Sequence, residues 1–447
     1  MFEKLRVWWA LDKAAEQDSP DNPFGPLAPT QRRDAGPMLA LAFGWGFLIT
    51  GLFIGGLLGA GQPFWPDLVW SSLLGNGVNF LVGALVGYMG YRTGMNSGLL
   101  FRLVYGNVGA AVPVLFLTVL LIFWQGITVG AFSFAWVQDF DSPWFYAIAV
   151  FAGLLYTWTT YYGVQGLEKV ALPAVLILVA VLVYAGWYNI DRAGGWDAFL
   201  ALSRSTAAKN PLTDVQAMNI VIGSWIVGAV VMAEYTRFAR QAWVSIAIPF
   251  IVLIVTQWIL QFVGAMGGVV SGNFDFTAYM RSVGPVISLF GLVAMSFALW
   301  TTGDANLYLP SIQTASVFRR PKRVMVVICG LLGTLIGLGI YQRFMDFINI
   351  LAMIAPPLIG PVIVDYYLCN RMRFRADLLE RLPAWNPIAV VSFVAGAVGA
   401  WLSPAWIANG LLGLLVSMVA YGVLYGLAST LGVRLGHARA VADSGAR

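Results

Sequence analysis

The sequence predicts an all-α polytopic membrane protein with about twelve transmembrane helices. The first observation is composition: 59% of the 447 residues are hydrophobic and 11% are charged, whereas a soluble domain has about 25% charged residues. The second is a mean hydropathy of +0.77, which reflects repeated apolar runs of about 20 residues, the length that crosses a bilayer. The third is a one-sided distribution of Lys and Arg.

The apolar runs place the predicted spans in chain order. Residues 1–36 precede them, are charged and Pro-rich, lack a signal-peptide core, and predict a cytoplasmic N-terminal tail. The spans lie near residues 37–60, 68–90, 110–137, 143–163, 168–187, 217–238, 242–265, 284–307, 322–341, 346–368, 385–402 and 406–432.

The basic residues orient these spans. If the N-terminus is cytoplasmic, all but five of the 26 Lys and Arg residues lie on the cytoplasmic side. This bias predicts a multi-pass protein of the inner membrane, surrounded by membrane lipid, with both termini cytoplasmic. It also accounts for the net charge of +5 without nucleic acid. The five exceptions are Arg192, Arg204, Lys209, Arg281 and Arg343.

The spans divide into two halves of five. Residues 37–187 hold the first five and residues 217–368 the next five, with an extracellular linker at 188–216 between them. Residues 369–447 add two helices and a cytoplasmic tail. Because five is odd, two halves of one fold must be inverted, and inverted repeats place substrate and ion sites at mid-membrane on broken helices.

The first span of each half is interrupted by glycine. Span one reads "GWGFLITGLFIGGLLGAG" and span six reads "VIGSWIVGAVVMAEYTRF". Tight helix packing through small residues is the alternative interpretation. The matching positions and the polar Ser224 favour two broken helices.

Enzymes are disfavoured by what the spans lack. The single histidine, His437, lies in the polar tail, and Cys329 and Cys369 are far apart in sequence. A zinc site or a serine triad therefore has no ligands or base inside the membrane. We expect no organic cofactor, no enzyme activity and no obligate protein partner. A channel is also disfavoured, because inverted repeats indicate alternating access.

The stretch "ALWTTGDANLYLP" places polar groups inside an apolar span. The hydroxyls of Thr301 and Thr302 suit a hard cation together with helix carbonyls. A hydrogen bond back to their own helix is the alternative. Asp304 is an ionisable group within a span, so it indicates substrate binding, proton relay or structural bracing.

Two tryptophans lie within spans instead of at the interfaces. Trp124 and Trp225 have polar neighbours, Gln125 and Ser224, and two such rings suit a planar heterocycle by offset stacking. At the end of span six, Glu234 and Arg237 have the i,i+3 spacing of an ion pair. We interpret that pair as structural anchoring or gating at the cytoplasmic rim.

These residues resemble those of the nucleobase–cation symporters, in particular the cytosine permease branch. The likeness covers about residues 37–375 through "GGLLGAG", "GYRTGMNSGLLFRLVYG", "GSWIVGAVVMAEYTRFAR", "ALWTTGDANLYLP" and "APPLIGPVIVDYYLCNR". The resemblance implies a LeuT-type fold of 5+5 inverted repeats plus two helices, with uptake driven by sodium or sometimes by protons. It implies a sodium site formed by carbonyls near Leu48 and Gly51, the carbonyl of Ala298, and the hydroxyls of Thr301 and Thr302. It places the substrate between Trp124 and Trp225, with polar contacts from Ser224, Gly228 and the region of Gly303, where Asp304 and Asn306 also lie. From the residues alone, Gln125 beside Trp124 is a further candidate contact.

The sequence departs from the cytosine pattern at the substrate edge. Ala298 and Gly303 replace asparagines of that branch, Leu121 replaces a glutamine, and Trp225 replaces the usual phenylalanine. The resemblance therefore implies a planar nitrogen heterocycle of cytosine, purine, hydantoin or allantoin type, carried with sodium. A proton-coupled carrier that titrates Asp304 is the alternative.

Overall fold

The computed structural model of the chain describes residues 23–48, 50–162, 179–180, 183–272 and 285–445. Nearly all regular structure in these ranges is helical. The helices are α1 Ala35–Gly46, α2 Thr50–Gly61, α3 Val69–Thr93, α4 Ser97–Tyr105, α5 Ala111–Val137, α6 Pro143–Tyr161, α7 Trp196–Ala207, α8 Asp214–Val230, α9 Ala233–Thr236, α10 Ala242–Pro249, α11 Gln257–Ser271, α12 Pro285–Phe318, α13 Lys322–Gly337, α14 Phe344–Val364, α15 Pro387–Trp401, α16 Asn409–Thr430 and α17 Gly436–Gly445.

The predicted spans coincide with these helices, except that the fifth, 168–187, lies largely outside the described residues. By length and apolarity, six helical segments of the described chain can cross a membrane, and a bent pair, α1 and α2, makes a seventh. The shorter α15 is also apolar. The count of twelve therefore remains a prediction, and the boundaries differ most at α12, which continues to Phe318 because its polar stretch does not interrupt the helix.

The first span is broken, as the glycine pattern predicts. Helix α1 ends at Gly46, the backbone at Phe47 leaves the helical region (φ −80°, ψ 42°), and α2 begins at Thr50 after a bend of 47°. The Leu48 carbonyl accepts a hydrogen bond from the Gly51 N–H at 3.2 Å. The break therefore lies upstream of the glycines at 55 to 61.

Those glycines have a different role, which is close helix packing. Helix α2 packs along α11. A Cβ at Gly55 would lie 2.7 Å from the Gln261 carbonyl carbon, and one at Gly59 would lie 2.7 Å from the Ala265 Cα. Both interpretations of the glycine-rich stretch are therefore present, in adjacent parts of span one.

The sixth span also changes course. Helix α8 ends at Val230, Val231 leaves the helical region (φ −99°, ψ 16°), and the short α9 follows. Gly223 and Gly228 lie inside α8, so the interruption falls after them. The two first helices of the halves are thus both discontinuous.

The helices pack in three sets that α4 joins. Helices α2, α3, α8, α10 and α11 pack together, as do α5, α6, α12 and α13, while α14 packs on α8, α15 and α16. Helix α4 contacts all three sets: the Ser97 N–H donates to Glu234 Oε1 at 3.0 Å, Gly98 lies against Ser316, and the Tyr105 hydroxyl donates to the Leu358 carbonyl at 2.8 Å.

The segment before α1 is tied to the same end of the molecule. The Arg33 N–H donates to the Phe238 carbonyl at 2.7 Å and the Arg33 carbonyl accepts from the Arg240 N–H at 3.0 Å. The Leu27 N–H donates to the Gly94 carbonyl at 2.9 Å. The end of the predicted N-terminal tail is therefore bound to the loops that follow α3 and α9.

Candidate functional site

A central cavity lies beside the break between α1 and α2. It is narrow, with a volume of about 30 Å³, so a ligand the size of a heterocycle requires its walls to move apart. Its walls come from both sides of the break and from α5, α8 and α12. The lining residues are Trp45, Leu48, Thr50, Leu121, Trp124, Ser224, Trp225, Val227, Gly228, Asn306 and Leu309.

Trp124 forms one aromatic wall. It is buried in α5 and meets Phe347 edge-on at 5.3 Å between ring centroids, with Phe344 at 6.0 Å. Both phenylalanines belong to the first turn of α14. These edge-to-face contacts fix the indole in the wall of the cavity.

Trp225 and Trp45 form a second aromatic wall. Their rings meet edge-on at 5.4 Å, and Trp45 stacks on Tyr235 at 4.0 Å. Gly228 explains the placement of Trp225, because a Cβ there would lie 2.7 Å from the indole Cε3. The glycine one turn further along α8 therefore lets the ring lie against its own helix.

Two donors of the lining residues have no partner among the described residues. They are the indole N–H of Trp225 and the side-chain amide nitrogen of Asn306, and both atoms are buried. Ser224 donates its hydroxyl hydrogen to the Val221 carbonyl at 2.7 Å, so its oxygen remains an acceptor. The cavity thus combines flat aromatic faces with a few polar groups, which suits a planar polar ligand.

The predicted ion residues lie on α12 and at the break. The Thr301 and Thr302 hydroxyls are 3.0 and 2.8 Å from the Ala298 carbonyl oxygen, to which both donate. Such hydrogen bonds back to the same helix are the alternative that the sequence left open for the two threonines. They do not prevent cation binding, because each hydroxyl oxygen keeps lone pairs that can face a cation. Thr302 lies one turn before Asn306, which lines the cavity together with Leu48.

Gln125 lies elsewhere. It is buried in α5, and a Cβ at Gly333 of α13 would meet its Cγ at 2.5 Å. It follows Trp124 directly, so the two side chains diverge by about 100° around the helix. The described cavity lining does not include it.

Gly303 and Asp304 face α6 instead of the cavity. A Cβ at Gly303 would lie 2.6 Å from the Tyr156 ring carbon Cε2. Asp304 Oδ1 accepts from the Thr159 hydroxyl at 2.6 Å and from the Thr160 hydroxyl at 3.4 Å. This geometry favours structural bracing between α6 and α12, one of the three roles that the sequence leaves open for Asp304.

Several residues at the site were not predicted. Trp45 and Thr50 flank the break, and the nearby "GWGF" run was the available signal for Trp45. Gln257 begins α11 and donates its side-chain N–H to the Gly46 carbonyl, at 2.7 Å, where α1 ends. A lone amide in the apolar run "LIVTQWIL" was the signal for Gln257.

Glu234 and Arg237 are both buried at the end of span six. Glu234 accepts from the Ser97 N–H at 3.0 Å, and the Arg237 Nε–H points to the Glu234 carbonyl oxygen at 3.4 Å. The guanidinium lies 4.9 Å from the Phe238 ring centroid. Glu234 therefore anchors α9 to the start of α4, and Arg237 packs within the turn that follows α9.

Comparison with known sequences supports a transport protein. The sequence profile of the family described as permease for cytosine/purines, uracil, thiamine, allantoin matches residues 28–424. The cytosine permease of Escherichia coli (strain K12) is 28% identical over 398 residues, which cover 88% of this chain and 93% of that permease. The hydantoin permease of Microbacterium maritypicum is 24% identical over 417 residues, covering 83% of this chain and 82% of that protein.

Comparison with solved structures identifies the fold. A nucleobase-cation-symport-1 family transporter in a closed conformation with bromovinylhydantoin bound superposes with a TM-score of 0.76, at 19% identity, over 91% of this chain and 95% of that one. A substrate-bound, outward-open Na+-coupled sialic acid symporter gives 0.67, at 12% identity, over 93% and 94%. The chain therefore has the LeuT-type fold.

Proposed function

The chain belongs to the family of permeases for cytosine/purines, uracil, thiamine and allantoin, and from this premise we propose that it is a sodium-coupled symporter of a planar nitrogen heterocycle. It is a multi-pass membrane transporter and not an enzyme. The proposed substrate is a nucleobase or related compound of cytosine, purine, hydantoin or allantoin type, moved by alternating access.

The observation that carries the proposal is the aromatic cavity at the helix break. Trp124 on one wall and Trp225 on the other supply ring faces for offset stacking, which is typical of binding to a planar ring. The free N–H groups of Trp225 and Asn306 call for acceptor atoms on the ligand. Heterocyclic carbonyl oxygens and unprotonated ring nitrogens are such acceptors.

Sodium is the proposed coupling ion. The Thr301 and Thr302 hydroxyl oxygens lie 3.0 and 2.8 Å from the Ala298 carbonyl oxygen, and uncharged oxygens of this kind suit a hard cation. Carbonyls at the end of a broken helix, here near Leu48 and Gly51, are the other expected ligands. We propose that sodium binds first and that each ligand stabilises the state that binds the other, typically by about 1–3 kcal/mol.

The proposed placement is the inner membrane with both termini cytoplasmic. The positive-inside bias supports it, since Arg319, Arg320 and Arg323 follow α12 on the same side as the segment before α1. The proposed units are the tail 1–36, the repeats 37–187 and 217–368 around the linker 188–216, and the C-terminal part 369–447.

A thermal-shift screen of the purified protein tests the proposal. Purines, pyrimidines, hydantoins and allantoin are compared with and without sodium, because a ligand of the folded state raises the Tm. At least one heterocycle should raise the Tm more in sodium than in potassium. No shift from any of them would overturn the substrate class.

Two variants test the assignment of residues. Trp225→Ala should abolish the heterocycle shift, whereas Trp158→Ala, an exposed tryptophan of α6, should keep it. Thr302→Ala should remove the sodium dependence, whereas Thr314→Ala, with the same kind of bond back to its helix, should keep it. Retained affinity in Trp225→Ala, or a retained sodium response in Thr302→Ala, would contradict the site.

Proton coupling through Asp304 is distinguished by uptake measurements. Uptake that ignores sodium, follows a pH gradient and is lost in Asp304→Asn would replace the sodium proposal. The Thr159 hydroxyl can still donate to the oxygen of an asparagine at this position, so this variant isolates the charge.

A further inference from the structure

Gln257 contacts both halves of the broken first span. It is 0% exposed, and its side-chain N–H donates to the Gly46 carbonyl at 2.7 Å, where α1 ends. A Cβ at Gly51, in the first turn of α2, would lie 2.7 Å from the Gln257 side-chain oxygen. That oxygen has no hydrogen-bond partner among the described residues. One carboxamide therefore spans the break, with its donor bound to α1 and its acceptor against α2.

A π-helical segment brings Gln257 to this place. Residues Phe250–Thr256 form this segment between α10 and α11. A π turn holds more residues than an α turn, so the residues after it are rotated relative to a continuous α-helix, and such turns are frequent at functional sites. The end of the segment lies close against α1, since a Cβ at Gly46 would lie 3.0 Å from the Thr256 Cβ. Glycine at position 46 thus permits the close approach that the bond from Gln257 requires.

The bond to Gly46 is the contact that fixes the end of α1. The last carbonyls of an α-helix lack partners within the helix and carry partial negative charge. At this break the Leu48 carbonyl accepts from the Gly51 N–H, which is a local bond. The Gly46 carbonyl accepts from Gln257, which belongs to another helix. Because α2 also packs along α11, Gln257 sets the position of α1 relative to α2.

We propose that Gln257 is a positioning residue of the sodium site: it holds the end of α1 so that the carbonyls near Leu48 and Gly51 keep the spacing that a cation requires. The inference rests on the proposed function, because that function places sodium at the break. Gln257 acts through the backbone, since its N–H is bound to the Gly46 carbonyl. Residues that orient the ligands of a metal ion raise its affinity because less rearrangement is left for binding.

Gln261 provides a matched control one turn further along α11. It is also 0% exposed. Asn76 of α3 donates its side-chain N–H to the Gln261 side-chain oxygen at 2.8 Å, and Gln261 donates to the Asn76 side-chain oxygen at 3.4 Å. Loss of the Gln261 amide therefore removes buried hydrogen bonds of the same kind from the same helix, without touching the Gly46 carbonyl.

Hydrogen exchange of the purified full-length protein in detergent tests the inference without any ligand. Gln257→Met keeps the side-chain length and removes the donor, so the backbone amides of Phe47 and Gly51 should exchange about five- to ten-fold faster than in the unsubstituted protein. In Gln261→Met the same two amides should keep their rate. Unchanged exchange in Gln257→Met would overturn the inference.

The sodium dependence of the Tm separates positioning from a merely structural role. Potassium keeps the ionic strength constant while sodium is varied. The sodium concentration that gives half of the Tm shift should rise about ten-fold in Gln257→Met and stay within about two-fold in Gln261→Met, although both variants lose a buried hydrogen bond. Faster exchange in Gln257→Met with an unchanged half-saturating sodium concentration would overturn the inference. An absent sodium response in the unsubstituted protein would overturn the coupling ion, whereas faster exchange confined to Gln257→Met would still support the role of Gln257 at the break.

A second variant covers the case in which Gln257→Met folds poorly. Gln257→Asn keeps the amide and withdraws it from the Gly46 carbonyl by one methylene group. It should therefore show the same faster exchange and the same weaker sodium response. Exchange and sodium response equal to those of the unsubstituted protein would overturn the inference.

Discussion

Gly55→Ala examines the contact that holds α2 to α11. The packing is reciprocal: Gly55 and Gly59 of α2 face the backbone of α11, and Gly264 and Gly268 of α11 face the backbone of α2. A Cβ at Gly55 would lie 2.7 Å from the carbonyl carbon and 2.8 Å from the Cα of Gln261. Because these are backbone atoms, no rotamer change can relieve the overlap.

The size of the effect follows from these distances. The Gln261 carbonyl oxygen lies closer to this Cβ than either carbon, and an ordinary contact begins at 3.4 Å, so the helices must separate by more than about 1 Å at Gly55. Overpacking typically costs about 1–3 kcal/mol, and a rigid backbone puts this site near the upper value. Alanine regains about 1 kcal/mol of helix propensity, which leaves a net destabilisation of about 2 kcal/mol.

Thermal unfolding in detergent, followed by tryptophan fluorescence, measures this effect. One kcal/mol shifts the Tm by about 2–4 °C for 150–250 residues and by less for a longer chain, so we expect a fall of a few degrees. Gly77→Ala is the control, because nothing lies within 4 Å of a Cβ there, and it should leave the Tm unchanged or raise it slightly.

The pair Gly55→Ala and Gly264→Ala sharpens the argument. A Cβ at Gly264 would lie 2.8 Å from the Leu52 Cα, in the same helix contact. Once one methyl group has separated the helices, the second costs less, so the double variant should lose less stability than the sum of the singles. A Tm of Gly55→Ala equal to that of Gly77→Ala, or strictly additive losses, would refute the packing argument.

Three further predictions concern buried polar groups. Gln125→Met should raise the Tm, because both amide atoms of Gln125 are buried without a partner among the described residues. Substrate affinity should stay within about two-fold of the unsubstituted protein. A loss of affinity in ligand titrations would show that Gln125 contacts the substrate. Asp304→Ala should destabilise the protein by about 1–3 kcal/mol, since the Thr159 hydroxyl loses its carboxylate acceptor, whereas Asp304→Asn should lose less than half of that in the same melts. Burial, and to a smaller extent the charge of Arg375, lowers the pKa of His437 to about 4. The neutral imidazole accepts a hydrogen bond from the Arg375 backbone N–H at 3.0 Å. Docking of α17 should therefore be strongest above about pH 6.5 and should weaken as the pH falls toward 4. Limited proteolysis of the C-terminus across this range should show that loss, and His437→Gln should flatten the pH dependence.

Much of the fold was predictable because the membrane imposes it locally. A helix is the form in which an isolated segment satisfies its backbone hydrogen bonds in lipid, so apolar run length alone located the spans. The break in span one was predictable for the same reason, since glycine-interrupted first helices of inverted halves mark the site. Composition could not separate the break at Phe47 and Leu48 from the packing glycines that follow it.

Part of the candidate site was predictable from residue type, because a tryptophan or a polar side chain in the middle of a span is unusual. Trp124, Trp225, Ser224, Gly228 and Asn306 all line the cavity. Residue type was insufficient for Gln125, Gly303 and Asp304, because a polar residue in a span can face a neighbouring helix as readily as a cavity. Trp45 and Gln257 were not predicted, because their roles depend on where another helix ends.

The sequence by itself determined the class of protein, the location of the apolar helices and the residue types on which the proposed ion site and ligand site rest. Hydropathy and charge act segment by segment, so one chain contains that information. The tertiary structure alone decided which face of α12 meets the cavity, since rotation about a helix axis is set by packing against neighbours. By that rotation Asn306 lines the cavity, and Asp304, two residues before it, lies against α6.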